Sequence, residues 1–81
     1  MQLDILTPDQ SVFSGEVDTA TLPGASGSFQ ILNSHAPLIS VLEKGNLVYV
    51  NGGNSTTISI LGGTVEVKDN KIIVLADGIE K

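Results

Sequence analysis

Apolar and polar residues alternate along most of this chain, and the alternation breaks at glycine, asparagine and proline, a pattern that predicts strands rather than helices. Residues 3–7 place Leu3 and Ile5 on one face, and Pro8-Asp9 ends the run. Between Ser11 and Leu22 the apolar phase shifts at Ser14-Gly15, so the spacing predicts a short strand, a bend at Gly15 and a second strand over 16–22. Pro23-Gly24-Ala25-Ser26-Gly27 reads as a turn cluster. The apolar runs 29–32 and 38–42 are joined by Asn33-Ser34-His35-Ala36-Pro37. Pro37 fixes its own φ and pushes Ala36 toward extended geometry, so this corner is rigid. Beyond Gly45, runs 46–50 and 55–61 flank Asn51-Gly52-Gly53-Asn54, the clearest short-range hairpin signal in the chain. Gly62-Gly63 separates these from 64–68, and Asp69-Asn70 turns the chain into 71–76. The consecutive apolar positions of that last run predict a strand covered on both faces.

No segment carries apolar residues at helical spacing with caps, and β-branched residues are abundant, so the chain reads as all-β. Short strands separated by Gly and Asn turns suggest a sandwich or a flattened barrel. The inward faces predict a core of Leu3, Ile5, Val17, Ile31, Leu42, Val48, Ile58, Ile60, Val65, Val67, Ile72 and Val74.

Length and charge narrow the function. At 81 residues there is room for one domain. The chain has no cysteine, so neither disulfides nor thiolate metal sites can supplement a small core. Nine Asp and Glu stand against four Lys and no Arg, a formal net charge of −5. Such a chain repels phosphate backbones and anionic headgroups, which argues against nucleic acid. No apolar run approaches the roughly 20 residues that span a bilayer, and the N-terminus lacks a basic region followed by an apolar core. The chain is expected to be soluble and unexported, with no direct lipid insertion, and to reach a membrane only through a partner.

Little in the chain suggests chemistry. His35 is the one side chain with a pKa near neutrality, but no Cys, Ser or carboxylate stands at a catalytic spacing from it. A histidine beside a proline corner is expected to bond the backbone of its own loop. Glu16 and Asp18, two apart, read as a solvated face. Gly52-Gly53 and Gly62-Gly63 precede no helix and no Gly-Lys-Ser or Gly-Lys-Thr, so they read as turns rather than phosphate cradles. Neither a transition-metal nor a calcium ligand set is visible, and no cofactor is expected. A rigid acidic block with shaped edges remains, the character of an interaction module.

Leu3-Asp4-Ile5-Leu6-Thr7-Pro8, Phe13-Ser14-Gly15-Glu16-Val17-Asp18, Leu22-Pro23-Gly24, Gly27, Ile31-Leu32, His35-Ala36-Pro37-Leu38, Lys44-Gly45, Gly62-Gly63, Val65-Glu66-Val67 and Val74-Leu75-Ala76-Asp77 together resemble the N-terminal domain of the epsilon subunit of F-type ATP synthase. The similarity is in register over essentially the whole chain. It implies a flattened β-sandwich of about ten short antiparallel strands, filling residues 1–81 as a single domain. It also implies a non-catalytic part of the central stalk of the rotary motor, bound to the gamma subunit and to the loops of the c-subunit ring, coupling proton-driven rotation to ATP synthesis. That complex is peripheral on the cytoplasmic face of the bacterial inner membrane. By the resemblance, the ring-facing edge includes Gly27, Ser28, Phe29 and Gln30, and the gamma-facing side includes Thr7, Pro8, His35 and Leu38. Many relatives continue into a helical hairpin that can inhibit ATP hydrolysis; ending at Lys81, this chain is expected to lack a C-terminal helical domain. The alternative is a stand-alone β-sandwich module that binds a protein or small ligand.

Overall fold

In the computed structural model, which describes residues 1–80, every regular element is a strand. There are seven: β1 (Gln2–Thr7), β2 (Gln10–Glu16), β3 (Thr19–Gly24), β4 (Gly27–Leu32), β5 (Leu38–Asn51), β6 (Asn54–Lys68) and β7 (Lys71–Ala76). They form one sheet in the order β2-β1-β7-β6-β5-β3-β4. All neighbours run antiparallel except β1 and β7, which pair in parallel from Gln2↔Lys71 to Leu6↔Leu75.

The expectation of about ten short antiparallel strands is corrected on two points: the strands are fewer and two are long. β5 and β6 run 14 and 15 residues and pair as one hairpin from Leu38↔Val67 to Asn51↔Asn54. Gly45 and Gly62-Gly63 therefore do not end strands. Gly62 and Gly63 hold φ of 114° and 148°, a region side chains avoid, and they bend β6 without breaking its pairing. On one side of this bend, residues 63–68 of β6 join β7, β1, β2 and the first residues of β5. On the other side, residues 54–61 join the rest of β5, then β3 and β4. A single hairpin thus belongs to both layers, and the sheet folds over on itself into a sandwich.

The turns follow the sequence closely. Gly52 and Gly53 take φ of 58° and 83° at the tip of the β5–β6 hairpin, and Asp69 and Asn70 take 52° and 60° between β6 and β7. Both match the two-residue turns with paired positive φ whose twist suits a hairpin. Gly15 does not bend the chain. β2 runs through it, with the Phe13 ring lying 3.1 Å from where a Cβ would stand. The break falls instead at Val17-Asp18, where Val17 N–H donates to the Met1 carbonyl at 2.9 Å and Asp18 N–H to the Val50 carbonyl at 2.7 Å.

The core consists of Leu3, Ile5, Val17, Ala20, Leu22, Ile31, Leu42, Leu47, Tyr49, Ile60, Val65, Val67, Ile72, Val74 and Ala76, and among the described residues no charged side chain is buried. Two expected members are displaced. Val48 is only half-buried, its neighbours Leu47 and Tyr49 pointing inward, and Ile58 packs at the margin. On the second half of β5 the inward phase is set by Tyr49, whose ring stacks on Phe13 of β2 with centroids 4.3 Å apart. This phase is directly testable. Leu47→Ala is expected to cost about 2–5 kcal/mol in urea denaturation, the usual loss for emptying a core leucine site. Val48→Ala is expected to cost less than about 1 kcal/mol.

After β7 the chain turns back. Ile79 bridges Ile60, Glu80 N–H donates to the Ser59 carbonyl at 2.8 Å, and the Glu80 carboxylate meets Lys44 Nζ at 2.8 Å.

Candidate partner-binding surface

Alternation along β1, β7, β6 and the start of β5 turns one set of side chains into the core and the other set out. The ladder registers align the outward set in two rows across four strands. One is Ile39, Glu66, Ile73 and Asp4; the other is Val41, Thr64, Leu75 and Leu6. Five of the eight are aliphatic, set beside Glu66, Asp4 and Thr64, and three of the five are uncovered: Ile39 is 76 % exposed, Val41 60 % and Leu75 52 %, while Ile73 and Leu6 are half-buried. The second row borders an open groove of about 430 Å³ lined by Leu6, Thr7, Pro8, Val41, Leu42, Gly63, Thr64, Leu75, Ala76 and Asp77. Such a cluster of outward aliphatic side chains on a small domain marks a binding surface.

The last strand was expected to be covered on both faces. It is covered on one: Ile72, Val74 and Ala76 are buried, whereas Leu75 is open. Its sequence, like Leu38-Ile39-Ser40-Val41-Leu42, carries apolar residues at positions that alternation would make polar. That excess is the sequence signal for this surface; in the last strand alone it predicts cover on both faces.

The structure places the sequence-derived contact residues as follows. Thr7 and Pro8 line the groove, although the Thr7 hydroxyl is engaged with Asp9 Oδ1 at 2.8 Å and the Gln10 carbonyl at 3.3 Å in the β1–β2 turn. Leu38 lies four residues back along β5 from Leu42, about 13 Å at the usual strand rise. It packs against the core and borders a separate depression with Pro37 and Ile39. His35 is half-buried in the corner between β4 and β5, and its Nδ1 meets the Ala36 carbonyl at 2.6 Å, the expected bond to its own loop. Ser34, with φ of 63°, donates its N–H to Asn70 Oδ1 at 2.8 Å, so the corner is tied to the β6–β7 turn. Thr7 and Pro8 are thereby separated from His35 and Leu38, and the exposed rows run between them.

Gly27, Ser28 and Gln30 are exposed on β4, at the far edge of the sheet. Phe29 turns inward and packs on the core, its ring within 2.7 Å of a Cβ placed on Gly24. Glu16 and Asp18, expected on one solvated face, are both exposed but separately engaged. Glu16 pairs with the N-terminal amine at 3.0 Å, and Asp18 accepts the Gly52 N–H at 2.9 Å.

Asp4 borders the exposed rows. Ser14 Oγ donates to it at 2.6 Å and Gln2 Nε2 at 3.0 Å, with Lys71 Nζ at 3.8 Å. The Ser14 bond foremost, then Gln2, with a smaller pull from Lys71, hold its carboxyl below the usual range against a small desolvation. A depressed folded pKa contributes stability that is complete above the unfolded pKa and is lost as pH falls through the folded one. The urea midpoint is therefore expected to fall as pH drops below about 4, the ordinary aspartate value. Asp4→Asn should flatten that part of the profile.

Among the described residues no three His, Cys, Asp or Glu side chains gather around a possible ion, and no helix is long and apolar enough to cross a membrane. The fold defines a β-sandwich domain whose outer face leaves Ile39, Val41 and Leu75 uncovered. The chain belongs to the family described as ATP synthase, Delta/Epsilon chain, beta-sandwich domain, which it matches over residues 1–81. It is 45 % identical over 80 residues to the ATP synthase epsilon chain of Desulforamulus reducens, covering 99 % of this chain and 61 % of that protein. It is 43 % identical over 76 residues to the epsilon chain of Rhodopseudomonas palustris strain BisB18, covering 94 % and 56 %. The chain thus spans about three fifths of the length of these relatives. Two solved assemblies share its fold. The Tetrahymena thermophila mitochondrial ATP synthase central stalk/c-ring superposes with a TM-score of 0.84 at 20 % identity, covering 99 % of this chain and 65 % of that chain. The Euglena gracilis mitochondrial ATP synthase OSCP/F1/c-ring superposes at 0.89 and 22 % identity, covering 96 % and 51 %.

Proposed function

We propose that this chain is a non-catalytic rotor component of an F-type ATP synthase, held between the gamma subunit and the c-subunit ring, where it helps couple proton-driven rotation to ATP synthesis. On this reading it is peripheral on the cytoplasmic face of a bacterial inner membrane and touches lipid only through the ring. Family membership supports the assignment to the synthase. The observation that supports the docking role is the exposed trio Ile39, Val41 and Leu75 in the two outward rows, flanked by the half-buried Ile73 and Leu6. We assign these rows, with Thr7 and Pro8 at the groove end and His35 and Leu38 at the corner end, to the gamma subunit. Full burial of an aliphatic side chain is worth about 1.5–3 kcal/mol, and Ile39, Val41 and Leu75, half to three-quarters exposed, each have a large part of that to gain as anchors of an interface. The exposed hairpin edge of Gly27, Ser28 and Gln30, positioned by the inward Phe29, is assigned to the ring loops.

A coupling element needs stiffness more than chemistry, and a sandwich whose long central hairpin belongs to both layers supplies it. The test is titration of purified gamma subunit into this chain. A one-to-one complex at micromolar concentration, burying on the order of 1,200 Å² or more, is expected. If no complex forms and a small molecule fills the groove by Val41 and Leu75 instead, the stand-alone binding module is the better description.

A further inference from the structure

One acid sits inside the exposed aliphatic patch. Glu66 lies directly between Ile39 on β5 and Ile73 on β7, and in the next row Val41 and Leu75 stand on either side of Thr64. Side chains opposite each other in a ladder are about 5 Å apart. A partner that covers Ile39, Val41 and Leu75 therefore takes the Glu66 carboxylate out of water with them.

The chain itself supplies no counter-charge. Among the described residues the ion pairs are the N-terminal amine with Glu16, Lys44 with Glu80 and Lys71 with Asp4, and none includes Glu66. Lys68, two residues along β6 and also exposed, forms no ion pair among them either. In the free chain the Glu66 carboxylate is hydrated. Under a wholly apolar cover it would be buried unpaired, a loss that outweighs what a few aliphatic contacts return. The shape beside it fits one kind of side chain. A shallow depression of about 240 Å³ is lined by Ile39, Thr64, Val65, Glu66, Ile73 and Leu75, so its walls are aliphatic apart from one hydroxyl and one carboxylate. Lysine and arginine match that make-up, with a hydrocarbon stem that packs on apolar walls and a charged head that seeks an acceptor.

We propose that this depression receives a basic side chain of the gamma subunit, its stem lying against Ile39, Ile73 and Leu75 and its head on the Glu66 carboxylate. The inference rests on the gamma assignment made above and goes beyond it by naming the chemistry the partner presents at this point. The net charge of −5 adds long-range attraction for a basic segment. Glu66 then sets specificity within an otherwise apolar contact. A cover without a cation is penalised by the desolvated carboxylate, and an acidic one is repelled.

Isothermal titration of gamma subunit into wild type, Glu66→Gln and Glu66→Leu tests the pairing, with a urea melt of each free chain alongside. Both substitutions are expected to raise the dissociation constant at least about tenfold, because each leaves the partner's cation buried without its acceptor. Both should also make the affinity less sensitive to added salt. The urea midpoints should stay close to wild type, since Glu66 is exposed and unpaired in the free chain. Glu66→Leu decides the sign. Were Glu66 merely tolerated on an apolar surface, the leucine would extend the patch and tighten binding. Affinity unchanged or tightened by either variant overturns the proposal and leaves the gamma assignment standing; a wild-type chain that does not bind gamma overturns both.

Discussion

On the proposed assignment to the gamma subunit, replacing Val41 and Leu75 together by aspartate is expected to weaken that binding at least about a hundredfold while leaving the domain folded. The two side chains neighbour each other across Thr64 in one row and are 60 % and 52 % exposed, so the free chain loses little by the change. Surface substitutions of this kind shift stability by about 0.5 kcal/mol or less. In a complex the same positions would bury two unpaired carboxylates where two aliphatic anchors belong, and truncation of such anchors alone costs about 2 kcal/mol or more each. Isothermal titration against gamma subunit, with a urea melt of the free variant alongside, separates the two effects. Unchanged affinity would move the docking surface elsewhere on the molecule.

Gly63→Val is expected to destabilise the chain severely. Gly63 lies at the bend of β6, paired with Leu42 on one side and Ala76 on the other. Its φ of 148° disfavours any side chain, and a Cβ there would overlap the Leu75 carbonyl and come within 2.9 Å of the Ala76 Cα. The obstacle is backbone held in a ladder, so it cannot rotate away as a side chain would. Strain and overlap together are expected to cost at least about 4 kcal/mol. Small domains have only about 5–15 kcal/mol to lose, so the thermal midpoint followed by far-ultraviolet circular dichroism should fall by at least about 16 °C. Gly52→Ala is the useful contrast. Its φ is also positive, but nothing lies within 4 Å of the added methyl, so only the conformational cost of about 1 kcal/mol is expected.

Local signals made much of this fold legible. The hairpin at Gly52-Gly53, the turn at Asp69-Asn70 and the corner before Pro37 each rest on backbone preferences confined to a few residues, and each is where the sequence puts it. Most of the core followed from alternation alone, since inward residues of a half-buried strand repeat every second position. Alternation failed where two phases were equally apolar. Along Asn46-Leu47-Val48-Tyr49-Val50 either set could face inward, and the choice fell to the Phe13–Tyr49 stack between residues 36 positions apart. Gly15 and Gly62-Gly63 failed for a related reason. A glycine marks a backbone that must pass close to something or take an unusual angle, but not whether the strand stops there or bends and continues.

The binding surface shows the same division. Ile39, Val41, Ile73 and Leu75 stand out in the sequence as apolar residues where alternation calls for polar ones, and that excess states that both faces of these strands are meant to be dry. By itself, then, the sequence determined that the chain is all-β, where it turns, most of what it buries, and its kinship with the synthase family. Tertiary structure alone decided that β5 and β6 each serve both layers, that β1 and β7 run parallel, and that Ile39, Val41 and Leu75 are left without a cover. The reason is that pairing and burial are relations between distant segments: alternation reports that a side chain avoids water, and only the assembled sheet shows whether the chain itself provides the shelter.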